Sequence, residues 1–291
     1  DSQTRGACRK NRDKSHWMDH VSLCILDEGH IIGAKDRGVP GELGLTRLST
    51  ISPGIRYVVL SATLPNVSDF ANWIYDLNKL KTYVLNSTWR PVSLEWKLVP
   101  ITSGRFAQSR SEMRIKATRL ILSKPEEKFL VFVHEKKTGH DLMKDLSDVG
   151  IDAEFHRADL KREDRTAIEN GFKQKKGGLR VLISTSTLAW GVNLPARNVI
   201  IVGVSRGLNK VDVADIIQMA GRAGRMGIDD KGTCYLMCPS SEIKTWSQKV
   251  NDSPPVMSSL LDELHLRFQL LSEIAGGTIT DQKALPEWFS R

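Results

Sequence analysis

The chain has no run of about 18 apolar residues anywhere in its 291, so it offers no transmembrane helix and no membrane partner is expected. Its opening, Asp1-Ser2-Gln3-Thr4-Arg5, has no apolar core, so no signal peptide is visible, and so abrupt a start reads as that of a fragment. Cysteine is scarce and scattered, at Cys8, Cys24, Cys234 and Cys238, with no CxxC pair. That excludes a disulfide framework and a thiolate zinc site and points to reduced thiols in an intracellular protein. Internal repeats and low-complexity tracts are missing, which excludes repeat-array architectures. A phosphate-binding GxxxxGKS or GxxxxGKT loop is missing too; Gly227 to Gly232 followed by Thr233 comes nearest and lacks the lysine.

What remains is ordinary globular composition, 40% hydrophobic and 26% charged. The length exceeds one ordinary domain and suits two. Lys plus Arg is 42 against 34 for Asp plus Glu, a net charge of +8. Such moderate basicity suits a phosphate-bearing partner without requiring one. Basic segments at 5–14 and 105–119 are candidates for a strand-binding channel or for solvated faces.

Apolar runs at 21–26, 57–60, 129–133, 180–183 and 199–202 alternate with helix-like stretches at 67–75, 111–122, 137–149, 161–172 and 213–219. Continuous runs of this kind predict strands buried on both faces of a parallel sheet, and the alternation predicts an α/β fold. Breaks fall at 86–91, around Trp89-Arg90-Pro91, and at 252–255. Beyond the second break, 256–274 reads as one amphipathic helix with Leu260, Leu264 and Leu271 on one side.

Ligands of such sheets sit at the carboxyl ends of the strands, so the residues there are the candidates. The first run ends in Asp27-Glu28-Gly29-His30. Adjacent carboxylates at a strand end are either a solvated loop or a catalytic pair, one holding Mg²⁺ through water and one deprotonating a water. The second run ends in Ser61-Ala62-Thr63, two hydroxyls able to relay hydrogen bonds or to serve as turn residues. The fourth runs into Ser184-Thr185-Ser186-Thr187, hydroxyls that suit a phosphate cradle or the N-cap of a short helix. In Gln218-Met219-Ala220-Gly221-Arg222-Ala223-Gly224-Arg225, a continuing helix would bring Gln218, Arg222 and Arg225 to one face. Two guanidiniums aimed at one place suit a triphosphate.

Taken in chain order, Asp27 to His30, Ser61 to Asn66, Ser184 to Pro195 and Gln218 to Arg225 resemble motifs II, III, V and VI of superfamily 2 DExH-box helicases. The wording Thr187-Leu188-Ala189-Trp190-Gly191-Val192-Asn193-Leu194-Pro195 is most similar to the Ski2-like branch. The resemblance implies two RecA-like parallel-sheet domains, the first truncated at its N-terminus, over 1–87 and 88–250, with a winged-helix or helical segment starting at 251–291. It implies ATP and Mg²⁺ as nucleotide and cofactor, and DNA or RNA with a single-stranded tail as partner. By resemblance, Asp27 binds Mg²⁺ through water and Glu28 is the general base. Arg222 and Arg225 are arginine fingers, and Gln218 places the attacking water. Gly191 and Asn193 lie near the nucleotide. His30, Ser61 and Thr63 couple nucleotide state to nucleic-acid grip. Thr185 holds a backbone phosphate. His134, after the motif IV-like Val131-Phe132-Val133, and Arg157 are further phosphate-contact candidates, Arg157 equally readable as a surface charge.

Three departures from the family pattern carry expectations. Gly29 replaces a larger residue and predicts a more flexible strand end. The segment 204–211 is short where many relatives carry a longer duplex-splitting hairpin, which favours translocation or remodelling over strand separation. The absent phosphate loop predicts that this chain alone hydrolyses ATP very poorly, the loop lying upstream in a longer gene product or on a neighbouring chain. A non-hydrolysing nucleic-acid-binding scaffold is the alternative reading.

Overall fold

A computed structural model describes residues 17–34, 37–87, 89–104, 106–174, 178–185 and 194–289. The chain forms two compact units, one of residues 1–87 with 254–291 and the other of 88–253.

The first unit opens with β1 (Leu23–Leu26) and β2 (Arg56–Val59), paired in parallel with Leu23 opposite Arg56 and Leu26 opposite Val59. A 3₁₀ turn (Gly29–Gly33) and α1 (Gly38–Ile51) connect them, and α2 (Val67–Asn78) follows β2. The sequence pattern does not predict α1, because Gly38, Pro40, Gly41 and Gly44 give it low intrinsic propensity. Packing overrides propensity here: Leu43, Leu45 and Leu48 are buried, and Pro40 sits in the first turn, where its missing N–H costs nothing. The expectation of strands buried on both faces fails in this unit. Leu23, Ile25, Val58 and Leu60 remain 49%, 58%, 39% and 50% exposed, because among the described residues the sheet has only these two strands and one of its faces is uncovered.

The second unit contains β3 (Ser93–Ile101), α3 (Phe106–Leu122), β4 (Phe129–Val133), α4 (Lys136–Ser147), β5 (Ala153–His156), α5 (Arg162–Lys173), β6 (Val181–Ser184) and β7 (Asn198–Val202). A hairpin of β8 (Ser205–Arg206) and β9 (Asn209–Lys210), then α6 (Val213–Ala220), β10 (Lys231–Pro239) and α7 (Ile243–Asn251), complete it. Six strands form one parallel sheet in the order β3-β10-β7-β4-β6-β5. Every residue of β4, β6 and β7 is buried, as their unbroken apolar runs predict. Alternate side chains of these strands feed two cores. Leu130, Phe132, Leu182 and Ile201 pack with Ile216 and Met219 of α6 and Trp246 of α7. Val131, Val133, Ile183 and Ile200 pack with Ala117 and Ile121 of α3 and Leu142 and Leu146 of α4. The result is the three-layer α/β fold expected of a RecA-like unit.

From Pro254 the chain rejoins the first unit. Asn66 holds the returning segment at both backbone groups of Val256, donating to its carbonyl at 3.0 Å and accepting from its N–H at 2.9 Å. The pattern predicts one helix over 256–274; instead a 3₁₀ turn (Ser259–Leu261) precedes α8 (Glu263–Ala275), which Asp262 caps by accepting from the N–H groups of Leu264 and His265. Its packing is also inverted. Leu264 and Leu271 are 70% and 66% exposed, whereas Gln269 and Glu273 are buried and Glu273 pairs with Arg47 of α1. A short α9 (Ala284–Phe289) follows. No helix among the described residues is long and apolar enough to cross a membrane.

Candidate functional site

In the first unit the candidate residues leave the ends of β1 and β2. Asp27 is exposed, and its Oδ1 accepts from the backbone N–H of Glu28 at 2.9 Å. Glu28 adopts φ 57° and ψ 53°, a left-handed conformation that a residue with a side chain seldom takes. The cost, of order 1 kcal/mol, is offset by the contacts of the next two residues, Gly29 and His30. Gly29 is buried and donates to Leu60 O at 2.7 Å, joining the two strand ends. The expected flexibility at Gly29 is therefore corrected. A Cβ there would lie 2.4 Å from Val59 Cγ1, so glycine serves a close approach and the strand end is tightly packed.

His30, only 5% exposed, sits beside both acidic and hydroxyl groups. Its Nδ1 lies 3.0 Å from Ser61 Oγ and 3.5 Å from Glu28 Oε2. The Ser61 hydroxyl donates to Thr63 O at 3.2 Å, and Thr63 N–H donates back to Ser61 Oγ at 3.3 Å. A hydroxyl has one hydrogen, so with Ser61 donating to Thr63 it is His30 Nδ1–H that donates to Ser61. The structure thus brings Glu28, His30, Ser61 and Thr63 into one hydrogen-bonded cluster. No group of three or more His, Cys, Asp or Glu side chains lies together among the described residues, so no cage of protein ligands surrounds Asp27. One exposed carboxylate fits a magnesium ion held mainly by water and phosphate oxygens.

In the second unit α6 carries Gln218. Asp212 caps the helix, accepting from Ala214 N–H at 3.1 Å, and Gln218 is buried. The continuing helix that would align Gln218, Arg222 and Arg225 is not formed. It stops at Ala220, Arg222 and Ala223 N–H turn back to Met219 and Ala220 carbonyls, and Gly224 reverses the chain at φ 95°. Arg225 therefore lies past the end of α6. A Cβ on Gly224 would meet Val92 Cγ1 at 2.4 Å, so this glycine supplies both the positive φ and the space.

The turn bearing the two arginines is clamped from outside. Ala196 N–H donates to Arg222 O at 3.0 Å and Gly224 N–H to Ala196 O at 2.7 Å. Arg90 Nη2 donates to the carbonyls of Gly221 and Ala223, both at 3.1 Å, and its Nε to Val92 O at 2.8 Å. Arg225 donates from its backbone N, its Nε and its Nη2 to the carboxylate of Asp229, at 2.9, 2.8 and 2.8 Å. Burial would raise the Asp229 carboxyl, but the hydrogen bonds and charge of Arg225, with Arg197 behind, outweigh it and hold it below the usual carboxylate range. Neither Arg90 nor Asp229 belongs to the motifs. The one signal in the sequence was the spacing of Asp229, four residues after Arg225.

The phosphate-contact candidates fare differently. Thr185 follows β6, where buried Ser184 donates to the Thr185 carbonyl at 2.7 Å. Gly191 and Asn193, with the rest of 186–193, lie outside the described residues. His134 is turned inward: its Nε2 lies 2.8 Å from Gly203 O, and burial lowers its pKa, favouring the neutral ring. Arg157 is engaged by His140 Nε2 at 2.6 Å and Asp159 at 3.3 Å. Much of the basic stretch at 105–119 is likewise paired. Arg110 bonds Glu135, Arg114 bonds Asp141 and Asp145, and Lys116 bonds Glu112.

The family described as "Helicase conserved C-terminal domain" matches residues 113–227, which run from within α3 to just past the Arg222–Arg225 turn. Beyond that segment, the chain is similar over nearly its whole length to superfamily 2 helicases of the Ski2-like branch. It is 30% identical to the "ATP-dependent DNA helicase Hel308" of Thermoplasma volcanium, over 94% of this chain and 44% of that protein. It is 32% identical to the "ATP-dependent DNA helicase MER3" of Saccharomyces cerevisiae, over 97% of this chain and 26% of the relative. To the "DExH-box ATP-dependent RNA helicase DExH14" of Arabidopsis thaliana it is 30% identical, over 94% of this chain and 14% of the relative. The chain thus spans less than half the length of these relatives.

Proposed function

We propose that the protein is an ATP-dependent nucleic-acid helicase or translocase, with its phosphate-binding loop supplied by polypeptide upstream of these residues. One observation carries the reading: a left-handed Glu28 beside Asp27 at a strand end, with His30 Nδ1 between Glu28 and Ser61. Backbone strain of this kind is maintained where geometry matters for chemistry. In this reading Glu28 takes a proton from the attacking water and Arg222 and Arg225 neutralise charge developing on the γ-phosphate. Asp27 would hold magnesium through water, and the ion, when bound, offsets phosphate charge. A change in the load on Glu28 passes through His30 to Ser61 and Thr63 at the end of β2, which couples nucleotide state to nucleic-acid grip. Thr185 contacts a strand phosphate.

The uncovered apolar face of β1 and β2 supports an upstream partner segment. Half-exposed Leu23, Ile25, Val58 and Leu60 present the surface that further strands or helices of a RecA-like unit would bury. The test uses the full-length gene product. Glu28→Gln is expected to lower nucleic-acid-stimulated ATP hydrolysis by about 100-fold or more while ATP binding persists. Retained turnover in that variant would refute the assignment of the base.

A second reading keeps the motor and drops strand separation. The hairpin of β8 and β9 has two residues per strand, with Leu208 fully exposed at its tip. Strand-displacement assays on DNA and RNA duplexes with either overhang, run beside protein-displacement assays, separate unwinding from remodelling and DNA from RNA.

A further inference from the structure

Asp229 lies outside the Gln218–Arg225 segment singled out in the sequence, yet its side chain is only 2% exposed and it receives three hydrogen bonds from one residue. It grips Arg225 side-on, through Nε and Nη2, and closes the turn through the Arg225 backbone N–H. Behind it, Arg197 Nη1 stands 3.6 Å from Asp229 Oδ1, and Arg197 Nε stands 3.2 Å from Glu127 Oε1. Glu127 accepts in turn from Asn198 Nδ2 at 2.6 Å, at the start of β7, and from Lys124 Nζ at 2.9 Å. Asp229 is therefore held from the sheet side and holds Arg225 on the other.

We infer that Asp229 is a positioning residue for hydrolysis: it fixes the Nε–Nη2 edge of Arg225 so that the Nη1 edge is presented to the triphosphate. The physical reason is pre-organisation. A long arginine side chain samples many rotamers, and ordering it as charge develops would add to the barrier. A buried bidentate carboxylate orders it beforehand. The negative charge of Asp229 also offsets that of Arg225 in the ground state, so the arrangement favours the transition state over simple nucleotide affinity.

This inference rests on Arg225 acting on the nucleotide, so the test separates the two ideas. In the full-length gene product, nucleic-acid-stimulated ATP hydrolysis is measured for wild type, Arg225→Ala, Asp229→Asn and the double variant. Binding of ADP and of ADP with aluminium fluoride, and the melting temperature, are read on the same samples. Asp229→Asn is expected to lower kcat by about 10–100-fold with KM for ATP changed less than about threefold, and to weaken the aluminium fluoride complex but not ADP binding. In the Arg225→Ala background the same substitution is expected to change kcat by less than about twofold, because the residue acts only through Arg225. A kcat for Asp229→Asn within about twofold of wild type overturns the inference, as do independent, multiplying losses in the double variant. Should Asp229→Asn lower the melting temperature, Asp229→Glu decides: it keeps the charge, and recovery of stability without recovery of kcat supports positioning, whereas recovery of both together marks a structural role. A wild-type protein with no stimulated hydrolysis, or an Arg225→Ala variant with undiminished kcat, would instead sink the functional reading beneath it.

Discussion

The two units carry their candidate site residues on unequal scaffolds. Among the described residues the second unit has a six-stranded sheet, and every residue of its β4, β6 and β7 is buried between two layers of helices. Among the described residues the first has two strands, whose residues alternate between exposed and half-buried. Yet a left-handed non-glycine residue at a motif-bearing strand end, Glu28, sits on the smaller sheet. Local chemistry at a strand end is thus set by the few residues that cross between neighbouring strand ends, such as Gly29 bonding Leu60, and not by the size of the sheet. Stability is another matter, since it follows the apolar area removed from water.

The largest expected effect tests that distinction. Phe132→Ala, at a wholly buried position of β4, is expected to cost about 3–5 kcal/mol. Ile25→Ala, at a position 58% exposed on β1, is expected to cost less than about 1 kcal/mol in the same chain. Urea unfolding followed by fluorescence and by circular dichroism measures both, with the first unit melting at lower denaturant as a separate transition. Equal costs at the two sites would show that the first sheet is as well covered as the second.

A smaller effect probes where the first unit is tightly packed despite its open face. Gly29→Ala places a methyl 2.4 Å from Val59 Cγ1 and is expected to destabilise by about 1–2 kcal/mol. Val59→Ala in the same chain is expected to recover part of that loss, a coupling read from a double-mutant cycle in urea. Strictly additive costs would mean that the strand ends yield freely, as the glycine in the sequence first suggests.

How much of the molecule is legible in its sequence depends on the range of each interaction. β4, β6 and β7 are visible as unbroken apolar runs because both their faces are buried. β10 lies between β3 and β7 and is almost wholly buried, but Gly232, Thr233 and two cysteines disguise it; β3 alternates and ends near a proline. α1 is hidden by its glycines. At the site, Asp27, Glu28, His30, Ser61 and Thr63 are legible because each is local to a strand end, and the motif order supplies the rest. The left-handed φ of Glu28 and the inverted packing of α8 depend on partners distant in sequence, so no local pattern encodes them. The Gln218–Arg225 face fails for a local reason that spacing alone overrides: Gly224 at φ 95° ends any helix that reaches it.

The smallest effect belongs to the surface of the second unit. Glu112, on α3, accepts from the N–H groups of Thr102 and Ser103 and from the Thr102 hydroxyl, fastening the loop between β3 and α3, and pairs with Lys116 at 2.7 Å. Lys116 first, then the Ser103 backbone N–H, hold its carboxyl well below the usual carboxylate range. With the folded pKa below the unfolded one, the unfolded state binds more protons in between, so the contribution is whole above about pH 4.3 and is lost as pH falls from there. Glu112→Gln is therefore expected to cost about 1 kcal/mol at neutral pH, measured by urea midpoints, with the gap to wild type closing as pH drops from about 5 to 3. A gap that stays constant through that range would place the stabilisation in packing of the side chain, and would remove the carboxylate from the account of how the second unit holds its strand-end loops.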